Sequence, residues 1–337
     1  MRYNFIEVKK MILVTGGAGY IGSHVCKKLH KLGYDIVVFD NLITGHKELV
    51  KWGEFVLGDL NSPEHLKLVF SKYPIKAVMH FAAFAYVHES VREPKKYYLN
   101  NVCNTLNLLQ VMLEYDVRYF VFSSTCAIYG VTNNLPITEN HPKEPISPYG
   151  KSKLFVERIL EDYSKVCDLK YISLRYFNAT GADFDAEIGE WHEPEPHLIP
   201  LLLDCAINKS QTFNIYGADY ETFDGTCVRD FIHVVDLADV HVLALEYLFR
   251  ENKCDIFNLG TGNGFSVKQV LSVVEKVTKR KINYLIKGRR EGDPPILIAS
   301  NEKAKKILHW EPKYSDLLTI ISSAWEWHQK LYREFKK

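Results

Sequence analysis

A tyrosine and a lysine four residues apart, in the run Ser147-Pro148-Tyr149-Gly150-Lys151-Ser152-Lys153, have the types and spacing of a proton-transfer pair. Residues i and i+4 share a helix face, so an ammonium can lie beside a phenol. A neighbouring positive charge favours phenolate and lowers a tyrosine pKa from its ordinary value of about 10. A base poised nearer neutrality can take a proton from a sugar or alcohol hydroxyl. Spacing alone does not make such a pair. Tyr332 and Lys336 repeat it near the C-terminus, where the pattern reads as a solvated helix face. What precedes Tyr149 separates the two. Ser123-Ser124-Thr125 closes an apolar segment, and a hydroxyl there can share a hydrogen bond with a substrate oxygen. Hydroxyls at a strand end also commonly satisfy turn backbone.

A glycine loop lies upstream, Gly16-Gly17-Ala18-Gly19-Tyr20-Ile21-Gly22. An apolar strand before it and a helical pattern after it give the context in which Gly-x-x-Gly-x-x-Gly binds a dinucleotide. The first glycine permits a tight turn, the next admits a pyrophosphate, and the last lets helix and sheet pack closely. The helix N-terminus offers free N–H groups and a partial positive charge. Asp40 follows Gly22 by 18 residues, where a carboxylate accepts hydrogen bonds from ribose hydroxyls and repels a 2′-phosphate. That favours NAD over NADP. Asp59, in Gly58-Asp59-Leu60, fits either an adenine contact or a turn or cap role.

These residues need a scaffold, and the chain has the pattern for one. Strand-like runs over 11–14, 35–39, 77–81, 119–122 and 171–176 alternate with helical runs over 21–32, 95–114 and 149–167. Ser62-Pro63 and Ser147-Pro148 place a capping serine before a proline at the first helical position. This βαβα order predicts an α/β fold, a Rossmann-type doubly wound parallel sheet. After residue 176 the pattern breaks into a proline-bearing loop over 181–200. Strand-like 228–234, helical 236–248 and strand-like 255–259 then predict a return to the first domain. The expected division is an extension over 1–10, a dinucleotide domain over 11–179 joined by 228–262, and a smaller, interwoven C-terminal substrate domain over 180–337.

The 337 residues are 47% hydrophobic and 25% charged, with a formal net charge of +1. Two domains of that size can each bury a core. Bulk attraction to nucleic acid or membrane is excluded by the charge, so an anionic ligand must be held by a few placed groups. The seven cysteines are scattered, with no Cys-x-x-Cys. That excludes a zinc knuckle and suits a reducing compartment, the cytoplasm. No metal site is expected. No apolar run approaches the roughly 20 residues of a membrane span, and residues 1–10 lack the apolar stretch of a signal peptide.

The motifs in their joint order resemble the extended short-chain dehydrogenase/reductases that act on nucleotide sugars, and among them the UDP-hexose 4-epimerases. The resemblance covers nearly the whole chain from Met11. It rests on the glycine loop, Phe39-Asp40-Asn41-Leu42, Gly58-Asp59-Leu60, His80-Phe81-Ala82-Ala83 and Lys96-Tyr97-Tyr98-x-Asn100-Asn101-Val102. It continues through Phe122-Ser123-Ser124-Thr125, Tyr149-x-x-x-Lys153, Arg175-Tyr176-Phe177-Asn178-Ala179, Val228-Arg229-Asp230-Phe231-Ile232-His233 and Arg289-Arg290-x-Gly292-Asp293. It implies Tyr149 as base, Lys153 as the residue that lowers its pKa and holds the nicotinamide ribose, and Thr125 as the catalytic hydroxyl. The implied NAD contacts are Gly16, Gly19, Tyr20, Ile21, Gly22, Asp40, Asn41, Asp59, Leu60, Phe81, Ala82, Ala83, Asn101, Lys153 and Tyr176. The implied UDP-sugar contacts are Thr125, Tyr149, Asn178, His197, Leu198, Asn214, Tyr216, Arg229, Arg290 and Asp293. Tyr216 would pack on the base, Arg229 and Arg290 would hold the diphosphate, and Asp293 the uridine ribose. Arginine suits that task, with planar bidentate donors. From the residues alone, Arg229 equally fits a pair with Asp230 or Asp236, and Arg290 a solvated position.

The implied reaction is reversible inversion at C4 of UDP-galactose and UDP-glucose. Hydride is lent to NAD and returned to the other face of a 4-keto sugar. A homodimer through the helices over 95–114 and 149–167 is implied as well. Two positions depart from part of the family. Ala85 stands where some members carry lysine near the cofactor phosphates. Leu297 stands where members have either tyrosine or a smaller residue, so N-acetylated UDP-sugars are also compatible. A 4,6-dehydratase needs an acid/base pair after the threonine, and Cys126-Ala127 cannot supply it. Epimerisation of UDP-pentose or UDP-glucuronate, and a silent NAD-sensing module, are the other readings.

Overall fold

The computed structural model describes residues 10–132, 134–208, 210–290 and 293–336. Nine of the ten residues of the expected extension, and Gly292 of the Arg-x-Gly-Asp run, lie outside them. The first half alternates strands and helices: β1 (Met11–Thr15), α1 (Tyr20–Lys31), β2 (Asp35–Asp40), β3 (Glu54–Leu57), α2 (Pro63–Lys72), β4 (Ile75–His80), α3 (Val87–Arg92), α4 (Pro94–Tyr98), α5 (Asn104–Glu114), β5 (Tyr119–Thr125), α6 (Pro148–Val166) and β6 (Lys170–Tyr176). The second half has shorter pieces: β7 (Asn178–Thr180), α7 (Leu198–Ile207), β8 (Phe213–Tyr216), β9 (Val228–Arg229), β10 (Phe231–His233), α8 (Val234–Glu251), β11 (Asp255–Leu259), β12 (Phe265–Ser266), α9 (Val267–Thr278), β13 (Tyr284–Lys287), β14 (Ile296–Leu297), α10 (Glu302–Leu308) and α11 (Leu317–Glu334).

Seven strands form one parallel sheet in the order β11-β6-β5-β4-β1-β2-β3. Both faces are covered, which is why the strands read as apolar runs rather than alternating ones. Ile12, Val14, Val38 and Met79 pack one face under α1 and α8. Leu13, Val37, Val78 and Phe122 pack the other under α2, α5 and α6. Each such side chain contributes about 1.5–3 kcal/mol by burial, so the strands that end at the site are anchored from both sides. The strand order reverses at β1, between β2 and β4. A crevice outside the carboxyl ends of the strands is therefore expected there. A separate core of Leu202, Phe213, Val270 and Ile320 joins α7, α9 and α11 to β8.

The serine caps form as the sequence predicts. Ser62 Oγ accepts from His65 N at 3.3 Å and Ser147 Oγ from Gly150 N at 3.2 Å. Two segments differ from expectation. The helix over 95–114 is interrupted by a π-turn, Leu99–Cys103. The wider turn carries Asn101 inward, where its amide accepts from Phe84 N at 2.9 Å and donates to Phe84 O at 2.9 Å. The strand over 228–234 is split at Asp230. Its buried carboxylate accepts from Thr261 N, Gly262 N and Ala299 N at 2.8, 3.1 and 3.1 Å. Residues on either side then pair in different sheets, β9 with β12 and β14, β10 with β7. Among the described residues no helix is long and apolar enough to cross a membrane, and all seven cysteines are free.

Candidate active site

A cavity of about 500 Å³ opens at the strand ends around the switch point. One end is built by the glycine loop. Gly16 N donates to Phe39 O at 2.9 Å, and Gly19 N and Ser23 N continue the turn into α1. Close approach is enforced by the missing side chains. A Cβ on Gly16, whose φ is +74°, would stand 2.5 Å from Ala82 N, and one on Gly22 2.3 Å from Gly16 O. Gly16, Gly19, Tyr20, Ile21 and Gly22 all line the cavity, as do Phe81, Ala82 and Ala83 after β4. Asp40 ends β2 and is buried, with Oδ2 accepting from Ala18 N at 3.0 Å and Oδ1 from Leu42 N at 2.9 Å. Burial raises its pKa, and these backbone hydrogen bonds oppose the rise. Asp59 takes the turn role and also lines the cavity. It lines the cavity beside Asn41 and Leu60, accepts from Asn61 N at 2.7 Å within its turn, and accepts from Asn41 Nδ2 at 3.0 Å. Asn101 stands behind this wall, holding the Phe84 backbone and Ser152 Oγ.

Thr125, Tyr149, Lys153 and Tyr176 line the middle of the same cavity. Alternation along β5 divides its three hydroxyls. Ser123 and Thr125 face the cavity, and Ser124 turns away to donate to Glu157 Oε1 at 2.6 Å. Glu157 also takes Arg175, through Nε at 2.9 Å and NH2 at 2.5 Å. This buried pair locks α6 to β6 beneath the Tyr149 turn. Lys153 differs from the expectation that its ammonium lowers the Tyr149 pKa. Its Nζ donates to Ser123 O at 2.8 Å and lies 5.0 Å from the centre of the Phe122 ring. Burial pulls Lys153 down to about 7, with Glu157 opposing. Burial pushes the Tyr149 phenol up, with Tyr176 adding and a hydrogen bond to Thr125 offsetting. Desolvation by burial is the larger cause for both groups, and for Lys153 the Glu157 carboxylate offsets only part of it. The second pair, Tyr332 and Lys336, is also not a solvated face. Tyr332 OH donates to Asp204 Oδ1 at 2.7 Å, and Lys336 lies beyond the end of α11. Tyr332 is a packing residue far along the chain from any strand end.

Asn178, His197, Leu198 and Asp293 line the far wall, together with Ala85 and Leu297. Asn178 Nδ2 donates to Asp230 O at 2.8 Å. Arg229 forms neither of the ion pairs considered for it; it pairs with Asp293 and donates to Val228 O at 2.8 Å. The guanidinium of Arg290 stacks 3.9 Å from the centre of the Tyr216 ring, so Arg290 is not merely solvated. Asn214 and Tyr216 sit on β8, in register with Leu285 and Lys287 of β13. Asn101, Asn214, Tyr216, Arg229 and Arg290 are not among the residues on the cavity wall. Glu190 and His192 are on it, although neither belongs to a motif named above. The signal was present in Glu190-x-His192-x-x-Glu195-x-His197, but an irregular loop offers no period by which to see it.

The sequence profile of the NAD dependent epimerase/dehydratase family matches residues 12–260. The chain belongs to that family. A UDP-glucose 4-epimerase of Rhizobium meliloti is 50% identical over 319 residues, which cover 95% of this chain and 97% of that one. A UDP-glucose 4-epimerase of Brucella ovis, solved in complex with NAD, is 47% identical with a TM-score of 0.91, over 94% of this chain and 98% of that one. One from Bifidobacterium longum, solved with NAD⁺ and UDP, is 37% identical with a TM-score of 0.91, over 97% and 100%. In an NAD dependent epimerase/dehydratase the dinucleotide needs a cradle that side chains do not fill. The glycine loop satisfies that test, since no Cβ fits at Gly16 or Gly22 without moving backbone.

Proposed function

We propose that the chain is an NAD-dependent isomerase that reversibly inverts C4 of UDP-galactose and UDP-glucose. The observation that carries this reading is one cavity lined by the glycine loop and Asp40 at one end, Thr125, Tyr149 and Lys153 in the middle, and Asn178, His197 and Asp293 at the other. In it, the N–H groups of the glycine loop and the Asp40 carboxylate would hold the dinucleotide. Lys153, released from Ser123 O, would hold the nicotinamide ribose. The chemistry supplied by bound NAD is reversible hydride exchange at C4 of the hexose, through a transient 4-keto sugar. Tyr149 takes and returns the 4-hydroxyl proton, with the Thr125 hydroxyl in the same hydrogen-bond chain. Burial raises the phenol pKa, and a protonated Lys153 released toward Tyr149 would act against that rise. Arg229 and Arg290 hold the diphosphate, Asp293 the uridine ribose and Tyr216 the base. Arg229 would exchange its Asp293 partner for phosphate oxygens when substrate enters.

Residues 11–179 with 228–262 form the NAD-binding part, and 180–337 the UDP-sugar-binding part. The supporting observation is that β11 joins the seven-stranded sheet beside β6. A homodimer is supported by Val91, Leu99 and Phe155, which expose 60%, 49% and 48% of their surface on α3, the π-turn and α6. Seven free thiols suit the cytoplasm. The test is incubation of purified protein, without added NAD, with UDP-galactose, and in parallel with UDP-GalNAc, UDP-xylose and UDP-glucuronate. UDP-glucose should form from UDP-galactose, and Tyr149→Phe should slow that reaction by about 10²–10⁴-fold. Near wild-type epimerisation by Tyr149→Phe would remove the base assignment. Absence of any turnover with NAD bound would favour a sensing module.

A further inference from the structure

The loop between β7 and α7 gathers four ligating side chains at the cavity wall. Glu190, His192, Glu195 and His197 each bring one ligand atom to within 4.8 Å of the others. Both imidazoles present Nδ1 to the same two carboxylates. His197 Nδ1 lies 2.8 Å from Glu190 Oε1 and 2.9 Å from Glu195 Oε1. His192 Nδ1 lies 3.4 Å from Glu190 Oε1 and 3.4 Å from Glu195 Oε2.

Two observations set this cluster apart from an ordinary ion-pair group. His192 Nδ1 is sealed from solvent and makes no hydrogen bond. Its carboxylate neighbours stand at 3.4 Å, without good hydrogen-bond geometry, and a buried atom so placed calls for a closer partner such as an ion. The second observation is the spacing. Four ligands at zinc's bond lengths of about 2.0–2.2 Å stand roughly 3.3–3.6 Å apart around a tetrahedron. At Glu190 Oε1 the edge to His192 Nδ1 already has that length, 3.4 Å, and the edge to His197 Nδ1, 2.8 Å, need only open by about half an ångström; Glu195, which turns Oε2 to His192 and Oε1 to His197, would commit one of the two oxygens. The rings of Tyr20 and Tyr86, centred 6.4 and 5.9 Å from His192, stand nearly perpendicular to its imidazole, while His197 keeps 46% of its side chain exposed. All four ligands come from one eight-residue segment, so closing the chelate orders little chain. The neighbouring acidic group of Asp183, Asp185 and Glu187 is different. Lys27 Nζ sits among those carboxylates at 2.7, 3.0 and 2.7 Å, so an ammonium already fills it.

We propose that Glu190, His192, Glu195 and His197 bind a divalent first-row cation of the zinc type, which pins the 190–197 segment against the cavity. Imidazole with carboxylate suits such a metal better than magnesium or calcium. The cysteine spacing, on which the expectation of no metal rested, is silent about a site built from histidine and glutamate. The other occupant of this geometry is a pair of protons, with both histidines charged against both glutamates.

The full chain with its NAD, treated with chelator and dialysed, is titrated with Co²⁺ and followed by visible absorption and metal analysis. The expected result is one equivalent of Co²⁺ per chain with the intense ligand-field bands of a four-coordinate ion, displaced by Zn²⁺. His192→Ala, and separately Glu190→Gln with Glu195→Gln, should weaken uptake by about 100-fold or more. Asp185→Asn, at the lysine-filled group, should leave it unchanged. Circular dichroism establishes that each variant is folded, and the nearly isosteric His192→Asn replaces His192→Ala if that variant is not. No saturable uptake, a faint six-coordinate spectrum, or uptake unaffected by the folded His192 variant would overturn the site in favour of protons.

Discussion

Replacing Gly22 by alanine tests the packing of the glycine loop at its tightest point. The new Cβ would stand 2.3 Å from Gly16 O, 2.9 Å from Gly17 Cα and 3.0 Å from Gly16 C. All three are backbone atoms, so no side chain can rotate away. Ordinary contact begins near 3.4 Å, leaving the carbonyl about 1.1 Å too close. Either α1 or the loop must retreat. Gly16 cannot follow freely, because its N–H is bonded to Phe39 O and its own Cα faces Ala82. Overpacking of this kind costs about 1–3 kcal/mol. If the strain falls on the bound state, NAD affinity drops by roughly 5- to 150-fold; if it falls on the fold, the melting temperature drops by a few degrees. Gly19→Ala is the internal control for the fold alone, since its Cβ meets no protein atom nearer than Gly16 O at 3.3 Å but faces the dinucleotide side of the loop. Calorimetric NAD titration and thermal melts on both variants read the two terms. A Gly22→Ala variant that binds NAD and melts like the parent, or a Gly19→Ala variant that melts below Gly22→Ala, would refute the packing account.

Three further outcomes follow from the same geometry. Lys153 titrates near 7 in the fold but near 10.4 unfolded. The unfolded chain thus binds the extra proton between those values, and stability gained from this group rises with pH across that window. Below it the burial penalty is fully present, so in NAD-free protein the melting temperature of Lys153→Met, relative to parent, should be higher at pH 6 than at pH 9.5; a pH-independent difference would contradict this. Glu157→Gln leaves the buried Arg175 guanidinium without its anion and should cost about 3–5 kcal/mol in urea unfolding, whereas a loss below about 1 kcal/mol would show that Tyr129 and backbone carbonyls suffice. Leu297→Ala opens the cavity wall at a half-buried position, so it should raise the UDP-GlcNAc to UDP-glucose rate ratio at a stability cost of about 2 kcal/mol; an unchanged ratio would mean another residue limits the sugar pocket.

Sequence alone determined what depends on local pattern. The order of strands and helices, the Ser62 and Ser147 caps, the glycine loop and the Asp40 strand end follow from periodicity, capping chemistry and the sterics of a missing Cβ. These are short-range effects, and each is written within a few residues. The tertiary structure decided what depends on residues far apart in the chain. It put a π-turn into an otherwise helical run because Asn101 satisfies the Phe84 backbone. It split a strand at Asp230 because three distant N–H groups converge on one carboxylate. It paired Arg229 with Asp293, 64 residues on, instead of with its near neighbours. The Tyr149/Lys153 spacing shows the boundary between the two. The i, i+4 rule placed both side chains on the cavity face of one helix, but the depth of burial and the Ser123 carbonyl set their protonation. Both come from β5, and no spacing within α6 encodes them.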